Sequence, residues 1–162
     1  MEKKSGRSAC VAVIRRACAA DMEEILQLVG DVFEEEQGIP RALNSIPPEN
    51  HPQWWCAEAE GRIVGAMAAF VEDGSWHVDR LAVSGAMRGR HIATDLMKTV
   101  AAAVFDQGAD CIYMEARDIT VAIVKKLGGR VTGEPVLFYG ERLTPAVLER
   151  GRFENADSGS FF

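Results

Sequence analysis

The chain has 162 residues, 48% of them hydrophobic and 26% charged, with 24 acidic against 18 basic side chains and a formal charge of −6. That length suits one domain with a core of its own, and the acidic balance argues against nucleic acid as a general partner. The four cysteines, Cys10, Cys18, Cys56 and Cys111, are scattered among apolar residues and make no Cys-x-x-Cys pair. Buried thiols are therefore expected, with neither a metal site nor a disulfide frame.

Residues 1–8 are polar and read as a loose tail, followed by a single domain over 9–150 and a second loose tail over 151–162. The charged start is not followed by a long apolar run. The longest apolar stretch, residues 63–71, is too short to cross a membrane. A cytoplasmic protein without a membrane partner is expected.

Residues 10–17 predict a first strand. Asp21 followed by Glu24 predicts a helix start with a carboxylate cap. Met22, Ile25, Leu26, Val29, Val32 and Phe33 carry that helix to about Glu36, and Gly38 and Pro40 end it. Residues 40–53, with Pro40, Pro47, Pro48 and Pro52, form an irregular connection. Two strands over 54–60 and 62–72 meet at a Glu60-Gly61 turn, with Trp54 and Trp55 as packing residues. Asp73-Gly74 turns the chain into a third strand ending at Val83.

The next stretch carries the clearest chemistry. A turn of small and basic residues, 84–90, precedes a helix over 92–106, whose Ile92, Leu96 and Val100 recur at four-residue spacing. The first amides of a helix have no internal partner and the dipole there is positive, so such a start holds an anion. Arg88 and Arg90 add full charges beside those amides. Downstream, residues 111–116 predict a strand. Asp118 can cap a helix carrying Val121, Ile123, Val124 and Leu127, which Gly128-Gly129 ends. Residues 130–138 and 142–149 predict a closing hairpin about Tyr139-Gly140. The order β-α-β-β-β-α-β-α-β-β implies an α/β protein with a mixed, twisted central sheet flanked by helices. No Walker or dinucleotide glycine run is present, which weakens a plain nucleotide-binding reading.

Leu81-Ala82-Val83, followed by Arg88-Gly89-Arg90-His91-Ile92-Ala93, resembles the acyl-CoA-binding signature of the GNAT superfamily of N-acetyltransferases. The element order is also that of the GNAT fold, over roughly residues 10–148. Val32-Phe33-Glu34-Glu35-Glu36-Gln37-Gly38-Ile39-Pro40 and Val131-Thr132-Gly133-Glu134-Pro135 are similar to segments of a bacterial subgroup described only as predicted acyltransferases. The resemblance implies transfer of an acetyl group from acetyl-CoA to a primary amine of a small molecule, by direct attack in a ternary complex, with no metal. It implies that Leu81, Ala82 and Val83 hold the pantetheine arm and thioester, and that Arg88, Gly89, Arg90, His91, Ile92 and Ala93 take the pyrophosphate. Glu36 and Gln37 would face the acceptor. Relatives often dimerise, which leaves a homodimer as an option.

Candidates for the general base are Asp79, His77 and Glu134. On an alternating strand His77, Asp79, Leu81 and Val83 share one face, and histidine exchanges protons near neutral pH. Four positions depart from the family, among them Arg117, where relatives carry Asn or Gln. Val124 stands where relatives carry a proton-donating tyrosine, and Gly129 stands where they carry an aromatic. His91 stands where they carry a glycine. Tyr113 and Tyr139 are the hydroxyl-bearing substitutes in view. A domain that holds acyl-CoA as a sensor, without turnover, is the alternative that Val124 favours.

Overall fold

A computed structural model describes residues 11–40 and 45–159. The expected N-terminal tail, Cys10 and residues 160–162 lie outside them.

The strands are β1 (Val13–Arg16), β2 (Gln53–Ala59), β3 (Arg62–Glu72), β4 (Ser75–Val83), β5 (Cys111–Ala116), β6 (Arg130–Val131), β7 (Val136–Phe138) and β8 (Glu141–Glu149). They lie in the spatial order β1-β2-β3-β4-β5-β8-β6, with β7 on β8. All neighbours are antiparallel except β4 and β5. The expected mixed sheet is therefore present. The two turns joining β2 to β3 and β3 to β4 carry positive φ at Glu60-Gly61 and Asp73-Gly74, the geometry that lets a two-residue hairpin follow the strand twist.

Helix α1 (Met22–Gly30) covers one face of the sheet. Ile25 and Val29 pack there on Trp54, Cys56, Ala66, Ala68 and Ala82. Helices α2 (Ile92–Asp106) and α3 (Asp118–Lys126) cover the other. Leu96, Met97, Val100 and Val124 there meet Trp55, Ala57, Met67, Ala69 and Val78. Alternation along β2 and β3 sorts these side chains between the two cores. Trp54 and Trp55 are both buried, on opposite faces, as packing residues.

Local chemistry fixes the edges. Arg15 on β1 grips both oxygens of Asp21, at 2.8 and 2.9 Å, and reaches Glu58 on β2 at 3.0 Å. Asp21 also accepts the Cys18 amide at 2.8 Å. Its expected capping role thus falls on a short 3-10 turn, Ala19–Asp21, just ahead of α1. Glu24 accepts the amide of Ile63 at 2.9 Å, tying α1 to the start of β3.

Several expectations change in three dimensions. The first helix does reach Glu36, but Asp31–Glu36 winds as a π-helix, which shifts its last side chains round the axis. Cys18 is exposed rather than buried. The closing hairpin has a broken first arm, because β6 and β7 pair with β8 on either side of residues 132–135. The expected C-terminal tail instead forms α4 (Arg150–Gly159). Phe153 anchors it in the core, 5.4 Å from the ring of Phe105. One large apolar residue among many polar ones gave no periodic signal for that helix.

The Arg15 guanidinium, followed by the Cys18 amide, holds the Asp21 carboxyl well below the usual carboxylate range. The folded state therefore binds that proton less readily than the unfolded chain. The resulting stability is complete above the ordinary aspartate pKa of about 3.9 and is lost as pH falls below it. Asp21→Asn should lower stability at pH 7 and flatten that acid limb, as read by urea denaturation across pH.

Candidate functional site

Strands β4 and β5 pair only at Trp76 opposite Ile112 and His77 opposite Tyr113. Beyond that point β4 runs on to Val83 with no strand beside it on the β5 edge. An edge of this kind offers backbone groups to an extended ligand. The parting is matched by a bulge on the other side of β4. Arg80 and Leu81 together face the single residue Met67, between the pairs Asp79–Ala68 and Ala82–Ala66. Arg80 there adopts φ +60°, which an L-residue accepts only at some cost. A bulge of this sort bends the strand and strengthens its twist.

The bulge also corrects the expected face assignment. Asp79 pairs with Ala68, and His77 with Phe70, on the α1 side of the sheet. Leu81 and Val83 pack with the α2 core instead. The extra residue inverts the alternation between Asp79 and Leu81, so His77 and Asp79 share a face that Leu81 and Val83 do not.

A cleft of about 650 Å³ passes through the sheet where the strands part. On the α1 side its wall includes Phe33, Gln37, Ile39, Phe70, His77 and Asp79. On the α2–α3 side it includes Leu81, Met97, Met114, Ala116 and Thr120. Glu72, Asp73 and Glu115 join Asp79 as carboxylates around it, against Arg80 and Arg117. Two of the expected base candidates, His77 and Asp79, thus meet in one cavity. The third does not. Glu134 lines a separate shallow groove with Val121, Lys125 and Arg142.

The two candidates in the cleft differ in availability. The Asp79 carboxylate accepts the Arg80 amide at 2.6 Å and pairs with the Arg80 guanidinium at 3.0 Å. His77 makes ring contacts instead. It stacks on Phe70 with centroids 5.7 Å apart and planes 8° from parallel, and lies 6.0 Å from Tyr113. Its nitrogens carry no hydrogen bond among the described residues.

Past β4 lies the turn expected to hold an anion. The amides of Gly89, Arg90 and His91 have no backbone acceptor among the described residues, and the first internal bond of α2 runs from Asp95 to the His91 carbonyl at 3.0 Å. Ile92 is buried and Ala93 half-buried at the helix start. Arg90 is exposed and points no charge at a carboxylate among the described residues. Arg88 is already engaged. Its Nε and Nη2 donate to the Val83 carbonyl at 3.1 and 2.9 Å, and Nη2 meets Glu36 Oε1 at 2.6 Å. Glu36 and Arg88, assigned from sequence to opposite substrates, therefore contact each other at half-exposed positions.

The hydroxyls proposed as stand-ins for a proton donor do not reach the same place. Val124 is 1% exposed within the α2–α3 core. Tyr113 sits on the α1 face beside His77, and Tyr139 packs edge-on against Phe138 at the β7–β8 turn. Sequence reasoning missed Thr120. It is the polar member of the α3 stripe Thr120, Ile123, Val124 and Leu127, and a polar residue at core spacing was the available signal. It also missed Phe33 and Phe70 as walls of the cleft. Among the described residues no group of three or more His, Cys, Asp or Glu side chains could hold a metal ion. No helix among them is long and apolar enough to cross a membrane.

Comparison with known proteins places this geometry. The model of the acetyltransferase (GNAT) family matches residues 21–128. No curated protein matches the chain. Among solved structures, Escherichia coli ElaA superposes with a TM-score of 0.76 at 17% identity, over 86% of this chain and 100% of that one. FeeM, an N-acyl amino acid synthase from uncultured soil microbes, gives 0.73 at 11% identity, over 91% and 95%. An aminoglycoside 6′-N-acetyltransferase complexed with coenzyme A gives 0.64 at 17% identity, over 85% and 96%. Identities this low speak for the fold.

His91 caps α2 at φ +65° and ψ 19°, in the left-handed region. That conformation explains why a glycine suits the position. His91→Gly should relieve the strain at a smaller cost in chain entropy, and raise stability by about 0.5 kcal/mol. Urea denaturation of the two proteins checks it.

Proposed function

The chain belongs to the acetyltransferase (GNAT) family, and from that premise we propose that it transfers an acetyl group from acetyl-CoA to a primary amine of a small molecule. One observation carries the reading. A single cleft crosses the sheet where β4 and β5 part, with the unbonded imidazole of His77 on one side and an unpaired strand edge on the other. That edge leads directly into the turn with free amides, Gly89 to His91.

The chemistry asks for three things. An alkyl-ammonium, with a pKa near that of lysine at about 10.4, must lose a proton before it can attack. The thioester oxygen needs a donor as it becomes negative. The two substrates must be held together, which at the best geometry is worth about 7–11 kcal/mol. His77 is the base in this reading, since both oxygens of Asp79 are occupied by Arg80. The β4 edge from Leu81 to Val83 holds the pantetheine arm and meets the oxygen with its backbone. Arg88, Arg90 and the amides up to Ala93 take the pyrophosphate, with Arg88 exchanging or sharing its Glu36 partner. The acceptor enters from the α1 side past Gln37, where four carboxylates around the cleft favour a cation.

A second reading has its own observation. Val124 makes the family's proton-donor position apolar and buried, which favours a domain that holds acyl-CoA without turning it over.

Thermal unfolding with and without acetyl-CoA, followed by thiol release across an amine panel, separates the two. A hundredfold excess over Kd should stabilise the fold by about 2.7 kcal/mol. No stabilisation at millimolar acetyl-CoA would sink both readings, and stabilisation without thiol release would leave the second. Arg88→Ala should weaken acetyl-CoA binding about tenfold or more while shifting stability by less than ~1 kcal/mol, because its ion pair is exposed. With a working acceptor, His77→Ala should lower kcat by about 10²-fold or more.

A further inference from the structure

Thr120 presents an anomaly that the proposed chemistry resolves. It stands in the first turn of α3, and only 9% of it is exposed. Its hydroxyl makes no hydrogen bond among the described residues. It does not even take the usual route of a helical threonine, donation to a carbonyl one turn back. A buried hydroxyl without a partner costs about 1–3 kcal/mol, and natural proteins keep few of them without a reason.

Its position supplies the reason. Thr120 lines the cleft on the α2–α3 side, beside Leu81, Met97, Met114 and Ala116. Those four neighbours are apolar, so nothing among them competes for the hydroxyl. His77 and Asp79 line the same cleft from the opposite face of the sheet. A group entering along the unpaired edge of β4 from the α2 side therefore meets Thr120, and an amine entering from the α1 side meets His77. The hydroxyl is also one helical turn ahead of Val124, on the same stripe of α3.

We infer that the Thr120 hydroxyl is a hydrogen-bond donor to the sulfur of the acyl-CoA thioester and of the departing thiolate. The inference rests on the acetyl-CoA reading above. In the step it serves, the amine, whose ammonium proton has already passed through His77 to solvent, forms a bond to the thioester carbon and gives a second proton to His77. The carbon–sulfur bond then breaks, and its electron pair goes to sulfur. Thr120 donates to that sulfur while keeping its own proton, and water protonates the thiolate after release. A donor is sufficient there, because a thiol with a pKa of about 8.5 leaves without full protonation. The charged sulfur is the partner the hydroxyl otherwise lacks, so the interaction is stronger once the bond has broken than before it.

The test needs no acceptor. Binding of CoA and of desulfo-CoA, which lacks the sulfur, is measured by calorimetry above the thiol pKa of about 8.5. The proteins are wild type, Thr120→Val and Thr120→Ser. A hydrogen bond to a charged partner predicts that wild type prefers CoA by about tenfold or more. Thr120→Val should erase that preference and leave desulfo-CoA affinity unchanged, and Thr120→Ser should retain it. Thr120→Val should also melt no lower than wild type, since it removes an unsatisfied group at equal volume. A Thr120→Val protein that binds CoA with the wild-type preference overturns the inference and leaves the acetyl-CoA reading intact. A wild type that binds neither compound overturns both. A Thr120→Val protein that melts markedly lower assigns the hydroxyl a structural bond and overturns the inference as well.

Discussion

The parting of β4 from β5 is the constraint on which the rest of this molecule depends. A sheet that stayed paired along both strands would have no cleft, and its two faces would be sealed from each other. Here pairing stops at His77 and Tyr113, and the bulge at Arg80 turns β4 away while keeping it bonded to β3. The cost is a non-glycine residue at φ +60°. The gain is a strand with one satisfied edge and one open edge, held rigidly by the sheet behind it. A ligand can then be bound by backbone groups whose placement owes nothing to flexible side chains.

The same bulge divides labour between the faces. Before it, His77 and Asp79 look towards α1. After it, Leu81 and Val83 look towards α2. One substrate can be received on each face, with reacting atoms meeting in the gap. Charge follows the same division. Aromatic rings and carboxylates border the cleft around His77, while the free amides and arginines gather at the start of α2. The Glu36–Arg88 pair spans the two regions at the end of the first helix. The end of the first helix and the turn before α2 are thereby linked through one guanidinium.

The departures at Val124 and Gly129 belong together. A Cβ at Gly129 would collide with the Val124 side chain and approach the Val147 carbonyl at 2.9 Å. The Gly129 amide bonds the Val124 carbonyl at 2.8 Å. Valine fills the space that the glycine leaves, and the end of α3 closes tightly on β8. An aromatic at one position and a tyrosine at the other would need a different packing of this corner. Val124 and Gly129 are thus two parts of one packing arrangement at the end of the helix.

Elements with strong local signals were legible without any fold. The helix over residues 92–106 and the strand over 111–116 have the bounds their periodicity predicts, because each buries one clean face. The glycine-containing turns were legible for the same local reason, and the anion-ready helix start was visible as a basic turn before an apolar stripe. Helix α4 was not, since a single buried phenylalanine holds it. Nor was the face of Leu81, because a bulge is made by register with a neighbouring strand and leaves no mark on the strand's own alternation. Thr120 and Glu134 divide in the same way. Both are polar residues in the second half of the chain, and only packing decides that one enters the cleft and the other lines a groove apart from it. The sequence by itself determined the order of elements as far as the third helix, the main core stripes and the family, because those rest on spacing along one chain; the split of β6 from β7 and the last helix came only with packing. Which side chains share the cavity was decided only in three dimensions, by where β4 bends and where its pairing with β5 ends.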